Sequence, residues 1–205
     1  MLANLKITEY LERAAAGTAV PGGGSVAALN AALAAGLTEM VANLTIGKKG
    51  YEAVAEKMND IAGKSTELRE KLTAAIDRDA EAYSEVMAAF KLPKATDQEK
   101  GLRSLAVQKA FKHAALVPLE VANHAVKVID LAGRAVDSGN KNAVTDGLVA
   151  AMNARTAALA ALYNVKINLS SIEDDEFVKK LTRKINDLEQ QAKAREQKIL
   201  TSLKI

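Results

Sequence analysis

Apolar residues recur at three- and four-residue spacing along nearly the whole chain, and alternating β-branched runs are almost absent. That is a helical period. Ala, Leu, Glu, Lys and Gln, all good helix formers, fill the stretches between breaks. The breaks fall at Gly17 to Gly24, Gly47 to Gly50, Leu92 to Thr96, Gly133 to Asn142 and around Ser170 and Ser171. They predict a short helix over 7–16 and longer ones over 25–46, 52–90, 97–132, 143–168 and 174–203. The expected fold is all-α, a single-domain bundle of long helices over residues 1–205. Pro118 removes a hydrogen bond inside the fourth helix and predicts a kink there. Gly63 marks a weak point in the third. The last helix opens on acidic residues from Glu173 and carries its Lys and Arg further along, the order the helix dipole favours.

The second helix is the most apolar. Ala28, Ala32 and Ala35 with Gly36 form a small-residue stripe, which lets neighbouring backbones approach closely and suits a central helix. Its length would allow a membrane span, but Asn30, Glu39 and Asn43 interrupt it, and Glu39 near mid-span would cost about 2.5–3.5 kcal/mol. A place inside a bundle is expected instead.

Composition narrows the chemistry. With 205 residues, 49% hydrophobic and 26% charged, the chain suits one globular domain and excludes a disordered one. It has no cysteine, which excludes disulfides and thiolate chemistry and fits a reducing compartment. Met1-Leu-Ala-Asn-Leu-Lys shows no secretory signal, so a cytoplasmic location is expected. A net charge of +3 and only 3% aromatic residues offer nothing to a nucleic-acid partner.

Four polar groupings stand out. Pro21-Gly-Gly-Gly-Ser25 precedes a long helix. Gly22, Gly23 and Gly24 would expose N–H groups at its positive end, and Ser25 would cap the helix or donate to a ligand; a tight turn explains the glycines equally well. Asp77 and Asp79, two apart on a helix, point to nearly opposite faces, whereas Asp79 and Tyr83 share one. Taken alone, both aspartates fit a solvated surface best, yet a carboxyl turned into an apolar bundle would suit acid–base work. Gly139-Asn-Lys-Asn-Ala-Val-Thr-Asp146 combines turn residues, Asn140 and Asn142, with Thr145 and Asp146 in the next helix's first turn. Asn164 and Asn168 share a face further on, as cross-helix bonds or the rim of a site. His113, Glu120 and His124 lie along one helix, but metal binding would need further ligands, and no metal is expected. Lys48 and Lys49 at a helix end suit its dipole or an anionic ligand tail.

Taken together, these strings resemble the cyclodeaminase/cyclohydrolase family of folate enzymes. The likeness runs through Pro21-Gly-Gly-Gly-Ser25, Met40-Val-Ala-Asn-Leu-Thr45, Asp77-Arg-Asp79-Ala-Glu-Ala-Tyr83, Leu92-Pro-Lys94 and Val117-Pro-Leu119. It continues through Gly139-Asn-Lys-Asn142 with Thr145-Asp146, and Asn164-Val-Lys-Ile-Asn168. It covers nearly the whole chain in order; Thr145 departs from a more usual Ser but keeps the hydroxyl. The resemblance implies hydrolysis of 5,10-methenyltetrahydrofolate to the 10-formyl compound. Its alternative is cyclodeamination of 5-formiminotetrahydrofolate, and a third possibility is a helical binding module without catalysis.

The resemblance also implies a homodimer or larger homo-oligomer, a folate substrate that carries a polyglutamate tail, and no cofactor. Asp79 is its catalytic residue and Asp146 a second. Gly22, Gly23, Gly24, Ser25, Lys48, Asn140, Asn142 and Thr145 are its expected substrate-binding residues.

Overall fold

The structure, a computed structural model, describes residues 1–202. Among them are six α-helices: α1 Ile7–Ala15, α2 Gly23–Asn43, α3 Ala55–Phe90, α4 Asp97–Ser138, α5 Val144–Leu169 and α6 Asp175–Ser202. The end expected for the last helix, residue 203, lies outside the described residues. Short 3₁₀ turns at Leu2–Asn4, Glu52–Val54 and Lys141–Ala143 lead into α1, α3 and α5.

Helices α2, α3, α4 and α5 form a ring in which each packs on its two neighbours, and α6 lies across α4 and α5. Alanine sets the spacing. Ala27, Ala28, Ala31, Ala34 and Ala35 of α2 are buried with Ala150, Ala154, Ala157 and Ala161 of α5, so the two backbones come close. They run antiparallel. Gly23 at the start of α2 lies against Asn164 late in α5, and Val41 and Thr45 lie against Gly139. The largest fully buried side chains come from the other helices: Met58, Ile61 and Leu72 from α3, Ile129 from α4, Leu162 from α5 and Ile185 from α6. Within α2, Glu39 meets Arg69 of α3 at 2.8 Å, which offsets the cost of a charge on this apolar helix.

Two expectations need correction. α4 runs unbroken past Gly133 to Ser138, because a single glycine weakens a helix without ending it; Gly133 instead leaves room for Ile199 of α6. α2 begins at Gly23, with Gly22 as its N-cap. Ser25 is therefore inside the first turn and does not cap. Gly63 lies within a continuous α3, and a side chain there would point into open space.

Pro118 lies buried within a single continuous α4. Its missing N–H frees the carbonyl of Ala114, four residues earlier. Asn168 of α5 donates its side-chain amide to that same oxygen at 3.0 Å. The second amide hydrogen goes to the carbonyl of Asn164 at 2.9 Å. The defect in one helix is thus met by its neighbour.

Candidate active site

The start of α2 meets the middle of α3 and the end of α5 around a cleft of about 430 Å³. Gly22, Gly23, Gly24, Asp79, Tyr83, Asn164 and Asn168 line it, with Val86, Phe90, Phe111 and Ile167 as an apolar wall. Every helix end involved was legible in the sequence, but their meeting was not.

Asp79 is the chemical centre. Its carboxylate accepts from the Ser25 hydroxyl at 3.0 Å, and the same hydroxyl reaches the Ile76 carbonyl at 2.9 Å. The Ser25 backbone N–H also bonds it. Burial nevertheless dominates and raises the Asp79 pKa above the ordinary aspartate value, with the Ser25 bonds opposing. Gly24 is required by this contact: a Cβ there would lie 2.5 Å from the Asp79 Cγ. At Gly23 a Cβ would sit 3.2 Å from the Asn164 amide nitrogen. The glycine run is a turn of close approach whose occupant is the protein's own carboxylate, placed at the positive end of α2.

Asp77 points the other way, as its spacing requires. It is buried and accepts from the backbone N–H groups of Leu2 and Ala3, tying the N-terminal segment to α3. Tyr10 of α1 was not singled out from the sequence, because one aromatic on a nine-residue helix carries no signal of its own. It is the one buried residue of α1, at 7% exposure. Burial, then Asp79, then Asp77 raise its pKa, so its hydroxyl stands near both carboxylates. His113 bonds Glu85 at 2.7 Å, and Arg78 grips Glu120 at 2.8 Å. Among the described residues, no three His, Cys, Asp or Glu side chains gather where they could hold a metal.

The second expected cluster lies elsewhere. Asn140 is buried and joins the end of α2 to the turn before α5. Its N–H donates to the Thr45 hydroxyl at 2.8 Å and its amide to the Leu44 carbonyl at 3.2 Å. Its side-chain oxygen accepts from Lys48 at 2.8 Å and from the Asn142 N–H at 3.1 Å. Asn140 is the cap of this turn, and Asn142 is the residue capped. Thr145 is exposed and Asp146 half-buried in the first turn of α5.

Within a single chain Lys48, Asn140, Asn142, Thr145 and Asp146 do not stand beside Asp79. Asp146 and Asn164 sit near opposite ends of α5, about 27 Å apart along its axis at 1.5 Å per residue. Sequence order gave no hint, since both clusters flank the same two helices.

A family model described as "Formiminotransferase-cyclodeaminase" matches residues 6–187, spanning both clusters. The chain belongs to the formiminotransferase-cyclodeaminase family. Its relatives in that family include the methenyltetrahydrofolate cyclohydrolase of Methylorubrum extorquens, 37% identical over 204 residues, covering 100% of this chain and 98% of that protein. The formimidoyltransferase-cyclodeaminase of Rattus norvegicus is 33% identical over 202 residues. There the match takes in 98% of this chain but 37% of the longer rat protein. The crystal structure of formiminotetrahydrofolate cyclodeaminase from Thermotoga maritima superposes with a TM-score of 0.87 at 33% identity, over 97% of this chain and 96% of that one. The six-helix bundle is therefore a family fold.

Proposed function

We propose that the chain is an enzyme of folate one-carbon metabolism that hydrolyses 5,10-methenyltetrahydrofolate to 10-formyltetrahydrofolate. The observation that carries this is the half-buried Asp79 carboxyl of raised pKa in a cleft that is apolar on one wall and amide-lined on the other. The full-length match to a cyclohydrolase of the same size supports it.

The substrate carries one positively charged carbon between N5 and N10. Water adds to that carbon while Asp79 takes one of its protons. In the tetrahedral intermediate the carbon–N5 bond then breaks, and the proton held by Asp79 passes to N5. The new oxygen becomes the formyl oxygen on N10, and its remaining proton goes to solvent. A raised pKa helps a carboxyl both to accept and to return the proton. The Ser25 hydroxyl and N–H keep the carboxylate oriented; Asn164 offers its amide oxygen and second N–H to the pterin ring, and Asn168, whose two amide hydrogens are committed, offers its side-chain oxygen. The reaction as written draws on no metal or redox group, so no cofactor is proposed. A cytoplasmic location is part of the same proposal and rests on the cysteine-free composition.

Cyclodeamination uses the same cleft with ammonia as leaving group, and the relatives that carry that name favour it as a second reading. Purified protein supplied separately with methenyl- and 5-formiminotetrahydrofolate decides between them. A kcat/KM for methenyl hydrolysis at least 100-fold the larger supports the proposal; the reverse ratio makes the chain a cyclodeaminase. Homo-oligomerisation and a polyglutamylated substrate complete the proposal. Lys48 bonds Asn140 at the far end of α5 from Asp79.

A further inference from the structure

We propose that Arg103 holds a carboxylate of the substrate's glutamate tail, at the open end of the apolar wall that begins beside Asp79. The inference rests on the folate reading and adds to it the residue that meets the tail.

One face of α3 carries the wall. Tyr83, Val86 and Phe90 follow Asp79 at four- and three-residue spacing, and all of them line the cleft. Phe90 comes eleven residues after Asp79, about 16 Å along the helix at 1.5 Å per residue. That length takes an aromatic ring and one amino acid laid end to end beyond the reacting carbon. The chain has three Phe, four Tyr and no Trp, and Tyr83, Phe90 and Phe111 all line this one cleft. Phe90 meets Phe111 edge-on, with ring centres 5.9 Å apart and planes at 77°. Such a wall suits a flat ring, here the p-aminobenzoyl group. No Lys or Arg lines the cleft, so a ligand lying in it carries its anionic end past the wall.

Arg103 stands where the wall ends. Its guanidinium carbon lies 5.4 Å from the centre of the Phe90 ring, within the range of a cation–π contact. Its Nε donates at 3.2 Å to the Phe90 carbonyl, one of those that the end of α3 leaves without a helical partner. These two contacts aim the guanidinium, while its two terminal nitrogens bond nothing among the described residues. A planar fork held in this way matches a carboxylate with two parallel bonds. The segment beneath it is set in advance of any ligand. Thr96 and Glu99 close a capping box at the start of α4, and Arg103 follows in the second turn. Rigidity of this kind lowers the cost of binding. Lys112 and Lys166 adjoin the lining residues Phe111 and Ile167 but are taken up by Asp174 at 2.6 Å and Glu189 at 3.1 Å. The Leu92-Pro-Lys94 turn, which takes no part in the chemistry at Asp79, thereby brings the free guanidinium of α4 back over the end of α3.

A substrate without the tail tests this. Wild type, Arg103→Gln and Arg103→Lys are each assayed with 5,10-methenyltetrahydrofolate and with 5,10-methenyltetrahydropteroate, which ends at the benzoyl carboxyl and lacks the glutamate. The wild type should prefer the glutamyl substrate in kcat/KM by roughly 10- to 100-fold, the size of a charge-assisted hydrogen bond, with the difference in KM and not in kcat. Arg103→Gln should lose that preference, and Arg103→Lys, which keeps the charge without the fork, should retain part of it. A loss by Arg103→Gln that is equal on both substrates makes Arg103 a support for the end of α3 and overturns the proposal, as does a wild type with no preference. Equilibrium binding of 10-formyltetrahydrofolate and its pteroate counterpart gives the same comparison without turnover. A wild type that binds neither overturns the folate reading and this inference with it; binding without preference overturns the role of Arg103 alone.

Discussion

Asp79 does its work because three neighbours constrain it. Gly24 admits it, Ser25 bonds it, and burial raises its pKa. Asp79→Asn keeps the shape and removes the proton exchange, so turnover should fall by about 10²–10⁴. In the native protein the rate should rise with pH on a limb whose midpoint lies above the ordinary aspartate value of about 3.9. Stability moves oppositely. A carboxyl raised in the folded state adds stability that is fully present below its unfolded pKa and is lost as pH rises through the folded one. Above that window Asp79 is a net cost, so Asp79→Asn should raise Tm relative to wild type, and the gain should grow from acid to neutral pH. Thermal melts across that range check it; an equal Tm difference at every pH contradicts it.

At the scale of the element, identical substitutions should act in opposite directions according to what surrounds them. Glycine to alanine within a helix gains about 0.5–1 kcal/mol from backbone entropy. Gly63, exposed in α3 with open space around it, should show that gain in a denaturant titration, with turnover unchanged. Gly24→Ala drives a methyl group into the Asp79 carboxyl, and the overlap, about 1–3 kcal/mol, should outweigh the same gain and cost turnover too. The Pro118–Asn168 pair should be coupled. Asn168→Ala leaves the Ala114 carbonyl unmatched and should cost about 1–3 kcal/mol. In a Pro118→Ala background the restored N–H serves that carbonyl, so the same change should cost less. A double-mutant cycle measures the difference, and strict additivity would contradict this account.

Across the whole molecule, what the sequence made legible was local. Helical period and the division of Asp77 from Asp79 follow from spacing along one helix, and the structure agrees with them; the breaks agree except that α4 passes Gly133 and α2 starts at Gly23. Ser25 was misplaced by one turn, because a Gly-Gly-Gly-Ser string permits the cap at any of its glycines and only packing against α3 selects Gly22. The Asn140 cluster and Asp79 looked like parts of one site because nothing in a linear string measures the length of α5 that separates them. Tyr10 and the Asn168 bond to Ala114 were invisible for the same reason, since each depends on a partner more than fifty residues away. The antiparallel α2/α5 pair decides the layout: it places one cluster at each end and leaves an apolar face between them.

The central claim is that Asp79 drives methenyltetrahydrofolate hydrolysis from within this cleft. The most direct test follows the loss of methenyl absorbance on adding wild-type protein or Asp79→Asn, with far-UV circular dichroism showing both folded. The account requires rapid loss with the wild type and a rate at least 100-fold slower with Asp79→Asn. Equal rates from the two proteins would contradict it.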